Sequence, residues 1–597
     1  MIRDGEVRKK SDSAAAYSVG RGREIFRLLP AGRAAIGVGA CVAAWLCIGF
    51  GAGESSAADK RPNVLVIMTD DQGWGDFGFH GNPHLKTPHL DRLAGESVEL
   101  TQFCVSPVCS PTRSSLLTGR YNYRTGVTAT TSACSTMVTE EVTLAEMLSA
   151  AGYRTGIFGK WHLGDNYPSR PVDQGFAEVL VHRGGGIGQP SDPPGNHYFD
   201  PILLHNGRDE KTHGYCSDIF TDAAIQFITQ QRGEPFFVYL PFNCPHTPLE
   251  VPPDYLARYQ NLSLDDDTAR IYGMIANIDD NVGRLLAKLD ELGLRDDTIV
   301  VFLTDNGPQQ RRFNGIWRDL KATVYEGGIR TVCLLRWPGK FGAGSKQTQL
   351  AAHIDLAPTL LAACHVARPA AVAFDGMDLL AWLVGERNDP LERTLFFQWQ
   401  RTDVPQKFRG CAVRTSHYKL VQPNGRNGQK AFQPDWQLYD IASDPGEVHN
   451  IIDSHRQIAD ELKAAYERWF DDVSSTRGFP RARIIVGTSH ENPVTLTRQD
   501  WRGPLANWGE KGLGNWRIEI AAAGNYDVTV RAPAADATRK VALRIADHQF
   551  AQPLEAGQDH VVFKTIQLES GTCDVEAQIG GPDRVIGAHY IDLLKTD

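Results

Sequence analysis

Between residues 62 and 472 two hydrophobic patterns alternate along the chain. Short runs with almost no polar break are too uniformly apolar for a sheet with one wet face: "NVLVIM" (63–68), "TGIF" (155–158), "FFVYL" (236–240), "TIVVFL" (298–303) and "TVCLL" (331–335). They predict strands covered on both sides. Between them lie segments with helical spacing, "TLAEMLSAAGY" (143–153) and "SDIFTDAAIQFITQQRG" (217–233). A longer one over about 265–294 places Ile271, Met274, Ile275, Ile278, Val282, Leu285, Leu286 and Leu289 on one face. This alternation predicts an α/β domain, a mostly parallel sheet flanked by helices.

The texture changes after about Phe479. "WRIEI", "YDVTVRAP", "VALRI", "HVVFKTIQL", "CDVEAQI" and "YIDLL" are short strand patterns separated by Gly, Pro and Asp turns. They predict a separate β-sandwich over 487–597. At the other end, basic residues are frequent through Arg33, and Ala34–Gly53 is apolar and free of charge. Small residues in "SSAADK" follow, so residues 1–58 read as a secretory signal cleaved after Ala58, with an uncleaved membrane anchor as the competing reading. The catalytic part, including a C-terminal subdomain, is then expected over 59–478 of an exported, periplasmic or secreted chain.

Composition adds exclusions. The 597 residues carry a net charge of −9 without a basic stripe, which argues against nucleic acid as a partner. No stable membrane partner is expected unless the N-terminal segment stays uncleaved. The 11 cysteines are scattered singly, two of them (Cys41 and Cys47) in the signal, with no zinc-ligand spacing. Export would permit disulfides. Cys104 lies close enough in sequence to pair with Cys109, but spacing alone assigns no pairing.

In open α/β sheets, ligands sit beyond the carboxyl ends of the strands. "NVLVIM" runs into "TDDQGWGD" and brings Asp70 and Asp71 to one exit; "TIVVFL" runs into "TDNG" and brings Asp305 and Asn306 to another. Either exit alone could be turn or cap chemistry. Two such exits, far apart in sequence, predict a hard-cation site for Ca2+ or Mg2+. Other exits carry cations: Lys160 and His162 in "GKWHLG", His246 in "PFNCPHTPL", Lys321 in "RDLKATVYEGGIR", and Arg113 beside Cys109 in "PVCSPTRSSLLTGR". A metal facing a cationic rim predicts an oxyanion ester as substrate.

"CSPTR" followed by "SSLLTGR" resembles the signature of the type I sulfatases, members of the alkaline phosphatase superfamily. "RPNVLVIMTDDQGWGD", "GNPHLKTPHLDRLA", "GYRTGIFGKWHLG", "PFNCPHTPLEVP", "VFLTDNG", "KATVYEGGIR", "HIDLAPTLL" and "LYDIASDPGEVHN" are similar to that family's successive blocks, over about Pro62 to Asp472. The resemblance implies an alkaline-phosphatase-like fold and conversion of Cys109 to formylglycine by a maturation enzyme. It implies one Ca2+ held by Asp70, Asp71, Asp305, Asn306 and the modified Cys109. Arg113 and Lys160 would steady the hydrated aldehyde. His162 would act as its base, and His246 and Lys321 would hold the sulfate and assist the leaving alcohol. The hydrate's second hydroxyl explains why an aldehyde is used: deprotonated, it expels sulfate. Cys244 stands where many relatives have a small residue. The stretch before Lys321 lacks the family's glycine-rich lead-in, which makes Lys321 the weakest assignment.

The expected activity is hydrolysis of aryl or carbohydrate sulfate. The alternatives are a formylglycine-dependent phosphodiesterase or phosphonate monoester hydrolase and, if Cys109 stays a thiol, a non-catalytic glycan-binding protein. Trp501, Trp508 and Trp516 could serve carbohydrate binding in the sandwich, with core packing the stronger reading. Specificity is expected in loops 182–200 and 308–319, where Arg311, Arg312 and Trp317 are equally candidates for sugar contact and for structural roles.

Overall fold

A computed structural model describes residues 61–426, 431, 433–580 and 584–597. The signal reading falls outside these residues. Strand β1, Asn63–Thr69, is buried at every position. Its side chains alternate between two cores: Val64, Val66 and Met68 join one, Leu65 and Ile67 the other. That double burial explains the unbroken apolar run and requires a covering layer on each face.

The remaining strands of this sheet are β2 (Val98–Cys104), β3 (Arg154–Lys160), β4 (Glu178–His182), β5 (Ile202–His205), β6 (Arg208–Lys211), β7 (Phe236–Pro241), β8 (Thr298–Thr304), β9 (Cys333–Arg336) and β10 (Ser345–Ala352). Their order is β10-β2-β9-β8-β1-β7-β3-β4-β5-β6. The centre, β8-β1-β7-β3-β4, is parallel. β9 runs antiparallel between β8 and β2, and β5 and β6 extend the other edge antiparallel. The sheet is therefore mixed around a parallel centre. Helices Cys216–Gln231 and Asp266–Glu291 supply one covering core, with Ile278, Val282, Leu285 and Leu289 facing in. Helices Leu144–Ala150 and Leu356–Ala363 supply the other. Helix Leu144–Ala150 starts with a capping box between Thr143 and Glu146.

A second sheet of four antiparallel strands, Leu395–Gln398, Cys411–Arg414, Tyr418–Gln422 and Gln437–Asp440, packs with helix Arg456–Ser475 through Tyr466, Trp469 and Phe470. The C-terminal part forms two further sheets around a core of its own that includes Trp501 and Trp516. Those two tryptophans are 1% and 0% exposed, so they pack the core; Trp508 is 36% exposed. Among the described residues no helix is long and apolar enough to cross a membrane, and every cysteine is a free thiol.

Candidate functional site

Parallel register sets the site. Thr69 of β1 pairs with Thr304 of β8, so Asp70 and Asp305, one residue on, leave the sheet side by side. The Asp71 amide donates to Asp305 Oδ1 at 3.2 Å, and the Asn306 amide nitrogen Nδ2 donates to Asp71 Oδ1 at 2.7 Å. Asp71 has a left-handed backbone at φ 65°, a strained conformation that turns its carboxylate back to this exit.

Helix Cys109–Thr118 begins at Cys109 itself, and all ten of its residues are buried. Its N-terminal amides therefore face the same end of the sheet, where they favour negative charge. Cys109 Sγ, Asp70 and Asp305 bring donor atoms within 4.8 Å of one another, as do Asp70, Asp71 and His246. Arg113, one turn along and fully buried, donates to Asp305 Oδ2 at 2.7 Å and to the Lys160 carbonyl at 2.9 Å. Lys160, at the end of β3, pairs with Asp70. The glycine before it, Gly159, has φ 132°, and a Cβ there would stand 2.0 Å from the Pro241 carbonyl oxygen of β7. Only glycine lets these two strands close at that point.

His162 also has a left-handed backbone, φ 58°. Its Nδ1 lies 3.5 Å from Cys109 Sγ and its Nε2 lies 3.0 Å from the Thr130 carbonyl oxygen. Donation from Nε2 to Thr130 leaves the Nδ1 lone pair facing Cys109. Burial, then the Lys160 charge, push the imidazole well below its usual range, so it stands neutral. His246 bonds through Nδ1 to the Thr247 carbonyl at 2.7 Å and presents Nε2 at 3.8 Å from Asp71 Oδ2. Lys321 reaches Asp71 Oδ1 at 2.5 Å. The structure thus brings together the ten residues expected at the metal and the cationic rim: Asp70, Asp71, Cys109, Arg113, Lys160, His162, His246, Asp305, Asn306 and Lys321.

The electrostatics of the carboxylates are divided. Burial, then the Asp70 charge, push Asp305 up to about 7. For Asp70, burial pulls upward but is outweighed by Lys160, His246 and Arg113, which hold it well below the carboxylate range. Three buried oxygens here have no hydrogen-bond partner: Asp70 Oδ1, Asp71 Oδ2 and Asn306 Oδ1. Unpartnered buried acceptors cost free energy unless something positive meets them. An all-oxygen set of two carboxylates and an amide fits a hard divalent cation, Ca2+ or Mg2+.

Two candidates from loop 308–319 are placed differently. Arg312 is buried and clamps Asp76 through Nε at 2.9 Å and Nη2 at 2.6 Å, so it holds the β1 exit loop. Trp317 sits edge-on to Trp74 and beneath the Arg330 guanidinium. Arg311 alone of the three is exposed. Sequence reasoning missed Thr130 and Gln499. The Gln499 amide nitrogen lies 2.7 Å from the Thr130 oxygen and 3.4 Å from His162 Nε2. No motif marks either, because one acts through its backbone and the other comes from the C-terminal sandwich.

A parallel-centred sheet whose strand exits gather acidic oxygens, a helix N-terminus and a cationic rim is the layout of an enzyme of the α/β class that hydrolyses oxyanion esters. The chain belongs to the sulfatase family, whose model matches residues 62–366; a second model, "N-sulphoglucosamine sulphohydrolase, C-terminal", matches residues 315–471. It is 33% identical to arylsulfatase A of Bos taurus over 69% of this chain and 87% of that protein. It is 34% identical to N-acetylgalactosamine-6-sulfatase of Homo sapiens over 58% of this chain and 69% of that protein. The solved structure titled "Ps i-CgsB in complex with k-i-k-neocarrahexaose" superposes with a TM-score of 0.63 at 27% identity, covering 70% of this chain and 95% of that one. The chain is accordingly a type I sulfatase, a sulfuric ester hydrolase.

Proposed function

We propose that the chain is exported, that its Cys109 is matured to formylglycine, and that it removes sulfate from a sulfated glycan or aryl sulfate with one bound Ca2+. The observation that carries this reading is the position of Cys109 Sγ. It sits at the first residue of a buried helix, 3.5 Å from His162 Nδ1 and within ligand distance of Asp70 and Asp305. A lone structural thiol needs none of these neighbours. Asp70, Asp71, Asp305, Asn306 and the residue at 109 would hold the cation. When bound, Ca2+ supplies charge that favours ionised oxygen at position 109 and on the sulfuryl group. The hydrated aldehyde, once made, supplies a nucleophilic hydroxyl with a second hydroxyl beside it.

Within this reading His162 accepts a proton at Nδ1 from the group at position 109. Lys160 and Arg113 neutralise charge on that side, and both are already oriented by Asp70 and Asp305. His246 and Lys321, on the Asp71 side, bind the sulfate oxygens and steady the leaving oxygen. Residues 59–478 form the catalytic part and 487–597 the accessory sandwich. Glycan sulfate as the substrate class is supported by the named activity of the human relative and by the oligosaccharide in the solved complex.

Peptide mass spectrometry over residues 107–120 and hydrolysis of 4-nitrophenyl sulfate test the reading together. Formylglycine at position 109 and a preference for the sulfate over bis(4-nitrophenyl) phosphate are expected. An intact thiol in active preparations would sink the formylglycine chemistry. Preference for the diester would replace the sulfatase reading with a phosphodiesterase one.

A further inference from the structure

The C-terminal sandwich reaches the active site through Gln499. Strand Val494–Thr497 ends beside it, and the next residue, Arg498, is fastened into the sandwich by donating to the Ala588 and Gly587 carbonyls at 3.1 and 2.8 Å. Trp516 Nε1 donates to the Thr497 carbonyl at 2.6 Å. Gln499 is thereby placed by the sandwich, yet it is buried against the loop that covers His162.

Gln499 grips that loop twice. Its backbone carbonyl accepts from Ser132 N at 2.8 Å and Ala133 N at 3.4 Å. These two residues have consecutive left-handed backbones, φ 60° and 56°, a strained turn that persists only when its surroundings hold it. The side-chain amide donates to the Thr130 carbonyl at 2.7 Å and to Ser135 Oγ at 3.2 Å. Both amide hydrogens are then used, so His162 Nε2, 3.4 Å away, receives none. It donates instead to the same Thr130 oxygen, whose two lone pairs accommodate two donors.

We infer that Gln499 is a positioning residue of the active site: through the Thr130 carbonyl it holds His162 in the tautomer whose Nδ1 lone pair faces Cys109. The inference rests on the reading of His162 as the base. A second tie runs parallel to it. The loop that follows His162 is held by the sandwich through Tyr167 N to Glu491 Oε2 at 2.6 Å, Asn166 Nδ2 to the Thr495 carbonyl at 3.2 Å, and a stack of Tyr167 on His490 at 4.4 Å. The sandwich is thus part of the catalytic scaffold, in addition to any role in binding glycan.

The test uses the full chain with Gln499→Leu, and with Gln499→Glu, which keeps the size and loses the donor. The backbone carbonyl clamp survives in both. The expected result is a kcat lower by about 10–100-fold with KM within about twofold, the pattern of a lost orienting partner. Nitrogen-15 NMR of histidine-labelled chain, with His162 assigned by its loss in His162→Gln, is the second readout. His162 is expected to move from the Nε2–H form to a mixture of tautomers, in matured chain and in chain that keeps the Cys109 thiol. If one variant melts far below the parent, the other carries the test. An unchanged His162 tautomer, or a kcat within twofold of the parent, overturns the inference. Full activity of His162→Gln would instead remove the base role, while the NMR result would still decide whether Gln499 sets the ring.

Discussion

Lys321 lies beside Asp71 because its backbone is fastened on both sides of the side chain. Its own amide donates to the Pro308 carbonyl at 3.0 Å, and the Ala322 amide donates to Pro107, two residues before Cys109, at 2.8 Å. Asp319 and Ala322 adopt left-handed backbones, both at φ 66°, to make this approach. The side chain is 14% exposed, so its interaction with an incoming oxyanion is little screened. Lys321→Met keeps the stem and removes the charge. The expected loss in kcat/KM for aryl sulfate is about 10²–10³-fold, the scale seen on deleting one oxyanion-stabilising donor, with a lower melting temperature because the buried Asp71 loses its partner. Steady-state kinetics with a melting curve check it; a loss below about threefold would take Lys321 out of the site. At this scale the strand exits were legible in the sequence, since an acidic or basic residue after an unbroken apolar run is a strong signal. Lys321 was less so, because loop-to-loop backbone bonds and not a strand bring it in.

Between elements, the second sheet joins the first through a buried ionic knot. Lys419 Nζ lies 2.9 Å from both Glu326 Oε1 and Glu447 Oε1, while Arg330 and Arg414 also approach Glu326. Glu326 follows Lys321 in the same segment, so the knot anchors the loop that supplies this cation. Lys419→Met would leave Glu326 to Arg330 and Arg414 but take the buried cation from Glu447, at a cost of about 3–5 kcal/mol. A lower urea midpoint measures it, and a midpoint unchanged within error would show that the knot adds nothing. The sequence offered little warning of this sheet. Its strands are four or five residues long, and a pattern of alternation needs more positions than that to stand out. The sandwich strands were legible because several are longer and alternate cleanly, as in the burial of Trp516, Ile518 and Ile520.

The docking of the sandwich carries its own pH dependence. Asp500, the residue after Gln499, lines a cavity with Asp165, Arg483, Arg502 and Arg517. Burial, then the Asp165 charge, push its carboxyl up to about 8. An unfolded aspartate titrates near about 4. Between these values the folded chain keeps a proton that the unfolded chain has released. Stability therefore falls as pH rises through this window and levels off above it. Asp500→Asn removes this group's share of the slope, leaving that of Asp165, which burial also pushes up. The variant is expected to melt above the parent at pH 8 and close to it at pH 4, by differential scanning; parallel curves at both values would refute the assignment.

On the scale of the whole molecule, the proposed Ca2+ site lies where the two strand exits at Thr69 and Thr304 meet the helix that begins at Cys109. An ion held there would bridge segments that start 235 positions apart in sequence, as Asp71 and Asn306 do. Such a ligand stabilises the folded state alone, by about 2.7 kcal/mol when its free concentration is 100 times its Kd. Added Ca2+ is therefore expected to raise the melting temperature of chelator-treated chain by a few degrees, and EDTA to reverse the rise. Asp305→Asn should abolish most of that response, since it deletes one carboxylate ligand. Zn2+ should not substitute, because the donors are oxygen and the only sulfur, Cys109, would no longer be a thiol after maturation. A weaker response to Ca2+ should remain in chain that retains the Cys109 thiol, because the oxygens of Asp70, Asp71 and Asn306 that lack partners do not depend on maturation. If the melting temperature of both forms ignores Ca2+, the strand exits do not hold a cation, and their buried acceptors need another explanation.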